Sequence, residues 1–260
     1  MLTDTHCHLD FEVFDQDRDQ ILDNATQNQV TMIINPGTNI ATSKAALQIS
    51  NTYENVFAAV GIHPNEYVED VGSTIGVLRK LTTQPNVVAI GEIGLDFYRN
   101  NTSHEYQKQL FRSQLELATE VNLPVIIHCR EAYEETIRIV KEWQDNGGST
   151  ENCGVFHSFS GTEYLSKLII NKGFYIGVTG SITFKNSHDL RQTISKVPLN
   201  KLLLETDAPF LSPHPNRGKR NEPGFLHLTA KQVSKLKSTT IDNIAKQITS
   251  NACDLFKLVN

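Results

Sequence analysis

Short runs rich in β-branched and other apolar residues alternate along this chain with longer polar segments of helical period. The runs MLTDTHCH, VTMIINPG, VFAAVGIHP, VVAIGEIGLD, PVIIHC, CGVFHSF, FYIGVTG and KLLLETDAP read as eight strands. Between them, FRSQLELATEV places Leu115, Leu117 and Val121 among charged positions. EAYEETIRIVKEW sets Tyr133, Ile137, Val140 and Trp143 near a 3.6-residue repeat. Strand–helix alternation on this scale argues for parallel strands joined by right-handed crossovers. Eight units in 260 residues favour a closed (β/α)8 TIM barrel over an open doubly wound sheet. No linker-like or low-complexity tract divides the chain, so residues 1–260 are expected to form a single domain closed by a helix around TTIDNIAKQITSNACDLFKLV. The longest piece without periodicity is APFLSPHPNRGKRNEPGF, a candidate substrate loop.

Barrels of this kind carry their active sites at the carboxyl ends of the strands. The metal-capable residues gather at those ends. His6 and His8 end the first predicted strand, His63 the third and His157 the sixth; Glu92 follows VVAIG, His128 follows PVII and Asp207 follows LLLET. Strand-ending turns favour Gly, Asn, Asp and Ser, so repeated histidines at these positions point to a metal centre. Residues two apart on a strand share a face, which sets His6 beside His8 and turns Cys7 and Cys129 toward the barrel–helix layer as small core residues. Imidazoles with carboxylates suit Zn, Mn, Fe or Co. Four histidines and two carboxylates exceed what one open tetrahedral ion needs. Two divalent ions sharing a carboxylate use the set better, with Glu92 as the bridge and Asp207 as ligand or general base. His63 alone is equally a strand-end histidine bonded to backbone. His104, His188, His214 and His227 fall in predicted helices or the long loop, where solvation is the default.

The ordered segments DTHCHLD, GIHP, GEIGLDF, VIIHCR, VFHSFSG, LLETDAP and PNRGKRNEP closely resemble the TatD-type metal-dependent deoxyribonucleases, a branch of the amidohydrolase-like barrels. The resemblance runs from residue 2 to about residue 226. It implies a barrel with two divalent metals (Zn, Mn or Mg) that cleaves phosphodiester bonds in DNA, on single strands or DNA ends, with a 3′-to-5′ exonuclease as one form. By position it assigns His6, His8 and Asp207 to one metal, Glu92 to the bridge, His128 and His157 to the second metal, and His63 to the phosphate edge.

Composition adds one constraint. The net charge is −5, so a polyanionic substrate needs local positive charge or bound cations. Arg217, Lys219 and Arg220 in PNRGKR, and Arg130 two residues past His128, are the phosphate-contact candidates; Phe97 and Tyr98 are candidate base-stacking rings. The alternative for the triplet is a solvated surface loop, though its nearness to the predicted rim favours phosphate contact; Phe97 is equally core. Four cysteines without paired spacing, no signal-like N-terminus and no membrane-length apolar run lead to the expectation of a cytoplasmic protein with no membrane contact and no obligate protein partner. The competing reading is a small-molecule amide, ester or lactone hydrolase on the same barrel, which has no need of PNRGKR. Such enzymes commonly bridge their metals with a carboxylated lysine, whereas this chain offers Glu92. A metal-dependent binding or scaffold protein is the third reading, and the complete ligand set argues against it.

Overall fold

A computed structural model describes residues 1–99 and 101–258. The strands are β1 (Leu2–Asp4), β2 (Val30–Pro36), β3 (Val56–Val60), β4 (Val87–Asp96), β5 (Val125–Arg130), β6 (Gly154–Phe156), β7 (Phe174–Val178) and β8 (Leu202–Leu204). They pair in parallel in strict sequence order, each with the next. Around them lie α1 (Arg18–Gln27), α2 (Ile40–Thr52), α3 (Val71–Leu81), α4 (His104–Val121), α5 (Tyr133–Asp145), α6 (Glu163–Asn171) and α7 (His188–Lys196). Two further helices, α8 (Leu226–Leu236) and α9 (Ile241–Phe256), end the described chain; Val259, part of the predicted terminal helix, lies outside the described residues. Successive parallel neighbours with intervening helices give the (β/α)8 arrangement expected from the alternation of patterns. No described helix is long and apolar enough to cross a membrane.

The first and last strands are shorter than their apolar runs suggest, because their ends pair across the seam of the barrel rather than within a ladder. Thr5 N–H donates to Leu204 O (3.1 Å), Asp207 N–H to His6 O (2.8 Å) and His8 N–H to Ala208 O (2.9 Å). The buried Asp4 carboxylate reinforces the seam, accepting from Thr206 N–H (2.9 Å) and Thr206 Oγ1–H (2.6 Å). His6, His8 and Asp207 are thus fixed in mutual register by backbone bonds, although none belongs to a formal strand. Cys7, between the two histidines, is buried in the apolar core, as is Cys129. All four cysteines are free thiols.

Helix α4 starts seven residues earlier than the periodic segment FRSQLELATEV, because Ser103 caps it by accepting from Tyr106 N–H. The added turns carry a buried glutamine, and a second lies seven residues on, two turns along the same face. Gln107 Oε1 accepts from Asp96 N–H (2.9 Å) while its Nε2 donates to Asp96 O (3.0 Å). Gln114 repeats the arrangement on Ile62, accepting from its N–H (2.7 Å) and donating to its O (3.0 Å). One helix thereby fixes the residue before His63 and the last residue of β4.

Within β4, Gly94 stands opposite His128 at φ +136°. A Cβ there would lie 2.0 Å from His128 O, so only glycine permits this approach of β4 to β5. Gly94→Ala is expected to destabilise the protein by at least about 2 kcal/mol. That corresponds to a fall of about 4–8 °C in Tm. Calorimetry showing an unchanged Tm would contradict this account of the strand pair.

Candidate metal centre and its neighbours

The donors come from the carboxyl ends of β1, β3, β4, β5, β6 and β8 or their extensions, with His6 and His8 sharing β1, and they meet in two groups around one buried carboxylate. On one side, His6 Nε2 and His8 Nε2 are 3.2 Å apart. Glu92 Oε2 lies 3.5 Å from the first and 3.8 Å from the second. Asp207 Oδ1 lies 3.8 and 3.6 Å from the same two nitrogens. A tetrahedral ion with bonds of about 2.0–2.1 Å has donor–donor edges of about 3.3–3.4 Å. These five separations, 3.2–3.8 Å, are close to the edges a single ion requires. On the other side, Glu92 Oε1 faces His128 Nδ1 at 2.8 Å, and His157 Nε2 and His63 Nε2 each at 3.8 Å. His157 Nε2 also reaches Asp207 Oδ1 at 3.8 Å. The sets His6–His8–Glu92 and His63–Glu92–His128 are both compact enough to hold a metal ion. Glu92 turns one oxygen to each group, as a bridging carboxylate must.

The histidines' outward nitrogens decide what their inward nitrogens offer. His8 Nδ1 meets the carbonyl of Pro36 at 3.3 Å; a carbonyl only accepts, so the proton sits on Nδ1 and Nε2 carries the lone pair. His157 Nδ1 lies 3.1 Å from the wholly buried Glu205, and its Nε2 faces the centre. His128 Nε2 lies 3.2 Å from Asp96 Oδ2, and its Nδ1 faces Glu92. His63 is the opposite case. Its Nδ1 accepts from Asn65 N–H (3.1 Å), so in the neutral ring the proton sits on Nε2 and points toward Glu92. His63 is built as a hydrogen-bond donor to the pocket and His8 as a lone-pair donor, while His128 and His157, flanked by carboxylates, would present lone pairs only once a cation displaces their inward protons.

Asp96 and Glu205 were not among the residues singled out from the sequence, though both lie in the quoted segments. Asp96 is four residues past Glu92 on the same strand, and Glu205 is two before Asp207. Even spacing along extended chain was the available signal. Asp96 is itself held by Asn65 Nδ2–H (3.0 Å) and by the backbone N–H groups of Tyr98 and Arg99.

Burial and these neighbours shift the titrations. Burial and the nearby His128 press His63 down to about 3, so it is neutral at ordinary pH. Burial takes His8 to about 4. For His157, burial disfavours the cation, but Glu205 and Asp207 outweigh it and lift the ring to about 10. Burial raises Asp207 to about 7, with Glu92 and Glu205 adding to the rise and His157 opposing it. Burial would raise Glu92 too, yet His6, His63 and the His128 hydrogen bond hold its carboxylate well below the usual range.

The cationic candidates sit differently from the donors. Strand β5 continues to Arg130, opposite Asp96, and the exposed guanidinium lies 3.9 Å from the Tyr98 ring centroid. Arg217 lies 3.7 Å from the Phe184 ring centroid, and Lys219 is exposed. Arg220 is occupied: it pairs with the Asp17 carboxylate through both terminal nitrogens and donates to Val13 O (2.6 Å). Phe97 is half-buried and stacks on His104 at 3.8 Å, so that histidine is engaged rather than simply solvated.

Barrel and donor set together define a metal-dependent hydrolase. The model of the TatD related DNase family matches residues 3–257, and the chain belongs to that family. It is 37% identical over 258 residues to the uncharacterized metal-dependent hydrolase YabD of Bacillus subtilis, covering 99% of this chain and 100% of that one. The 3′-5′ ssDNA/RNA exonuclease TatD of Erwinia tasmaniensis is 38% identical over 251 residues, covering 94% of this chain and 95% of the relative. The crystal structure of YjjV, a TatD homologue from Escherichia coli K12, superposes with a TM-score of 0.92 at 32% identity, covering 99% and 98% of the two chains.

A metal ion held by His157 would need the neutral ring, whereas, against burial, Glu205 and Asp207 favour its cation and lift the ring to about 10. Between about pH 8 and 9, above the Asp207 value, affinity for Mn is expected to rise at least about tenfold per pH unit. Calorimetry in two buffers of different ionisation enthalpy should register release of at least one proton, since, against burial, Asp96 and Glu92 raise the His128 ring as well. A pH-independent affinity with no proton release would contradict the assignment.

Proposed function

We propose that this protein hydrolyses phosphodiester bonds in single-stranded DNA, working from 3′ ends, with two divalent metal ions (Zn, Mn or Mg). His6, His8 and Asp207 would hold one, His128 and His157 the other, and Glu92 would bridge them. The observation that carries the reading is the Glu92 carboxylate, with Oε2 beside His6 and His8 and Oε1 beside His128, His157 and His63. The direction and strand preference are those in the name of the Erwinia tasmaniensis relative.

Bound divalent ions at such a site acidify a water and neutralise charge on the phosphate. The remaining chemistry falls to the chain. Asp207 Oδ1, within 3.6–3.8 Å of His6, His8 and His157 at the middle of the pocket, is placed to accept the proton of the attacking water. The water oxygen forms the new bond to phosphorus as the bond to the 3′ oxygen breaks, and the proton passes to that leaving oxygen. His63, neutral at ordinary pH, presents its single ring N–H, on Nε2, to a non-bridging phosphate oxygen. Arg130, Arg217 and Lys219 supply positive charge for flanking phosphates, while Arg220 is committed to Asp17.

End-labelled single-stranded DNA, given to chelator-stripped protein resupplied with Mg, Mn or Zn, should shorten stepwise from its 3′ end. Asp207→Asn is expected to lower that rate by about 10²–10⁴-fold with an unchanged circular dichroism spectrum. Near wild-type cleavage by this variant would remove Asp207 from the chemistry. No cleavage by a wild type that still binds metal would favour the small-molecule hydrolase.

A further inference from the structure

Base recognition is the part of the proposed reaction that the donor cluster does not provide. Of the two rings suggested by the sequence, one is half-buried against a neighbour and the other, though exposed, carries a cation on one face. Phe97 is packed on His104, and Tyr98 carries the Arg130 guanidinium on its face. A different ring stands beside the centre. Phe210 is 51% exposed, and its centroid lies 6.4 Å from that of His8 and 5.9 Å from that of Phe11. Phe11 in turn stacks on His8 at 4.8 Å and rests against the core. Among the described residues, Phe210 is the exposed aromatic in ring contact with a donor histidine.

Its backbone is held from several sides. Phe210 N–H donates to Asp207 O (2.8 Å), three residues back in the same turn. The wholly buried Asn221 donates through Nδ2 to both Phe210 O (2.6 Å) and Thr206 O (2.8 Å), and its own N–H donates to Pro209 O (3.1 Å). The backbone that places Asp207 therefore also places Phe210. Leaving a large ring half in water forfeits burial that the neighbouring core could supply. A pinned, water-exposed ring beside the reacting centre is instead suited to a flat partner.

We propose that Phe210, backed by Phe11, is the platform on which the nucleobase next to the scissile phosphate stacks. This rests on the phosphodiesterase reading above. One sugar separates a base from its phosphate, which matches a ring placed just outside the donor shell. Stacking on an aromatic face tolerates every base, so the platform confers little sequence preference. It does confer a preference for single strands, because a paired base must first leave its stack, which costs a few kcal/mol. On the far side of the centre, Arg130 on Tyr98 is placed for a neighbouring phosphate rather than a base.

The test measures binding of a fluorescent, cleavage-resistant phosphorothioate trithymidylate and of its all-abasic counterpart, which has the same charge. Anisotropy with the metal-loaded wild type should give a Kd about tenfold lower for the base-bearing strand, the scale of one base–aromatic stack. Phe210→Ala should abolish that difference by weakening only the base-bearing strand, and Phe210→Trp should restore it. A preference that survives in Phe210→Ala, or is absent from the wild type, overturns the platform. Turnover of the unmodified strand is followed in parallel. A wild type that prefers bases yet cleaves nothing would refute the phosphodiesterase reading while supporting the platform.

Discussion

Everything at the rim depends on keeping the Glu92 carboxylate ionised where almost no water reaches it. Glu92 is 4% exposed, and an isolated carboxylate there would take up a proton instead of remaining charged. The His6, His63 and His128 rings at 2.8–3.8 Å offset that cost, and they come from the ends of β1, β3 and β5. A divalent cation on each side would offset it further. The same neighbours that keep Glu92 charged are spaced to hold such ions. Electrostatic necessity and metal chemistry thus ask for the same arrangement.

Such a cluster works only if each ring presents the correct nitrogen, and much of the surrounding structure serves that end. Pro36 O, Glu205 and Asp96 engage the outer nitrogens of His8, His157 and His128. Asn65 N–H does the reverse for His63, leaving it a donor. Asp96 is held in turn by Gln107 on its backbone, and Ile62, beside His63, by Gln114. The seam between the first and last strands sets His6, His8 and Asp207 in register. Asp207 itself adopts φ +56°, a left-handed conformation that aspartate tolerates better than most residues and that reactive positions often show.

The barrel and the inward-facing residues were legible in the sequence because both follow simple periods. Eight apolar runs marked the strands, and histidines where turns would place Gly or Asn marked the rim. The residues that escaped notice act through another residue or through the backbone. Glu205 and Asp96 sat within quoted segments but looked redundant beside Asp207 and Glu92, since sequence does not reveal which nitrogen of a histidine a carboxylate meets. Gln107 and Gln114 read as ordinary polar positions on a helix, because their partners are main-chain atoms of other elements. Arg220 looked like a phosphate contact until folding brought Asp17, more than two hundred positions away, against it. Phe210 is exposed by the path of a loop without periodicity, so its sequence neighbours carried no sign of that exposure.

Anomalous diffraction from crystals soaked in Zn or Mn tests the bridging carboxylate most directly. Two peaks about 3.5–4 Å apart are expected. One should contact Glu92 Oε2 with His6, His8 and Asp207, and the other Glu92 Oε1 with His128 and His157. A single peak, or a pair that leaves Glu92 uncoordinated, would contradict a two-metal centre built around that side chain.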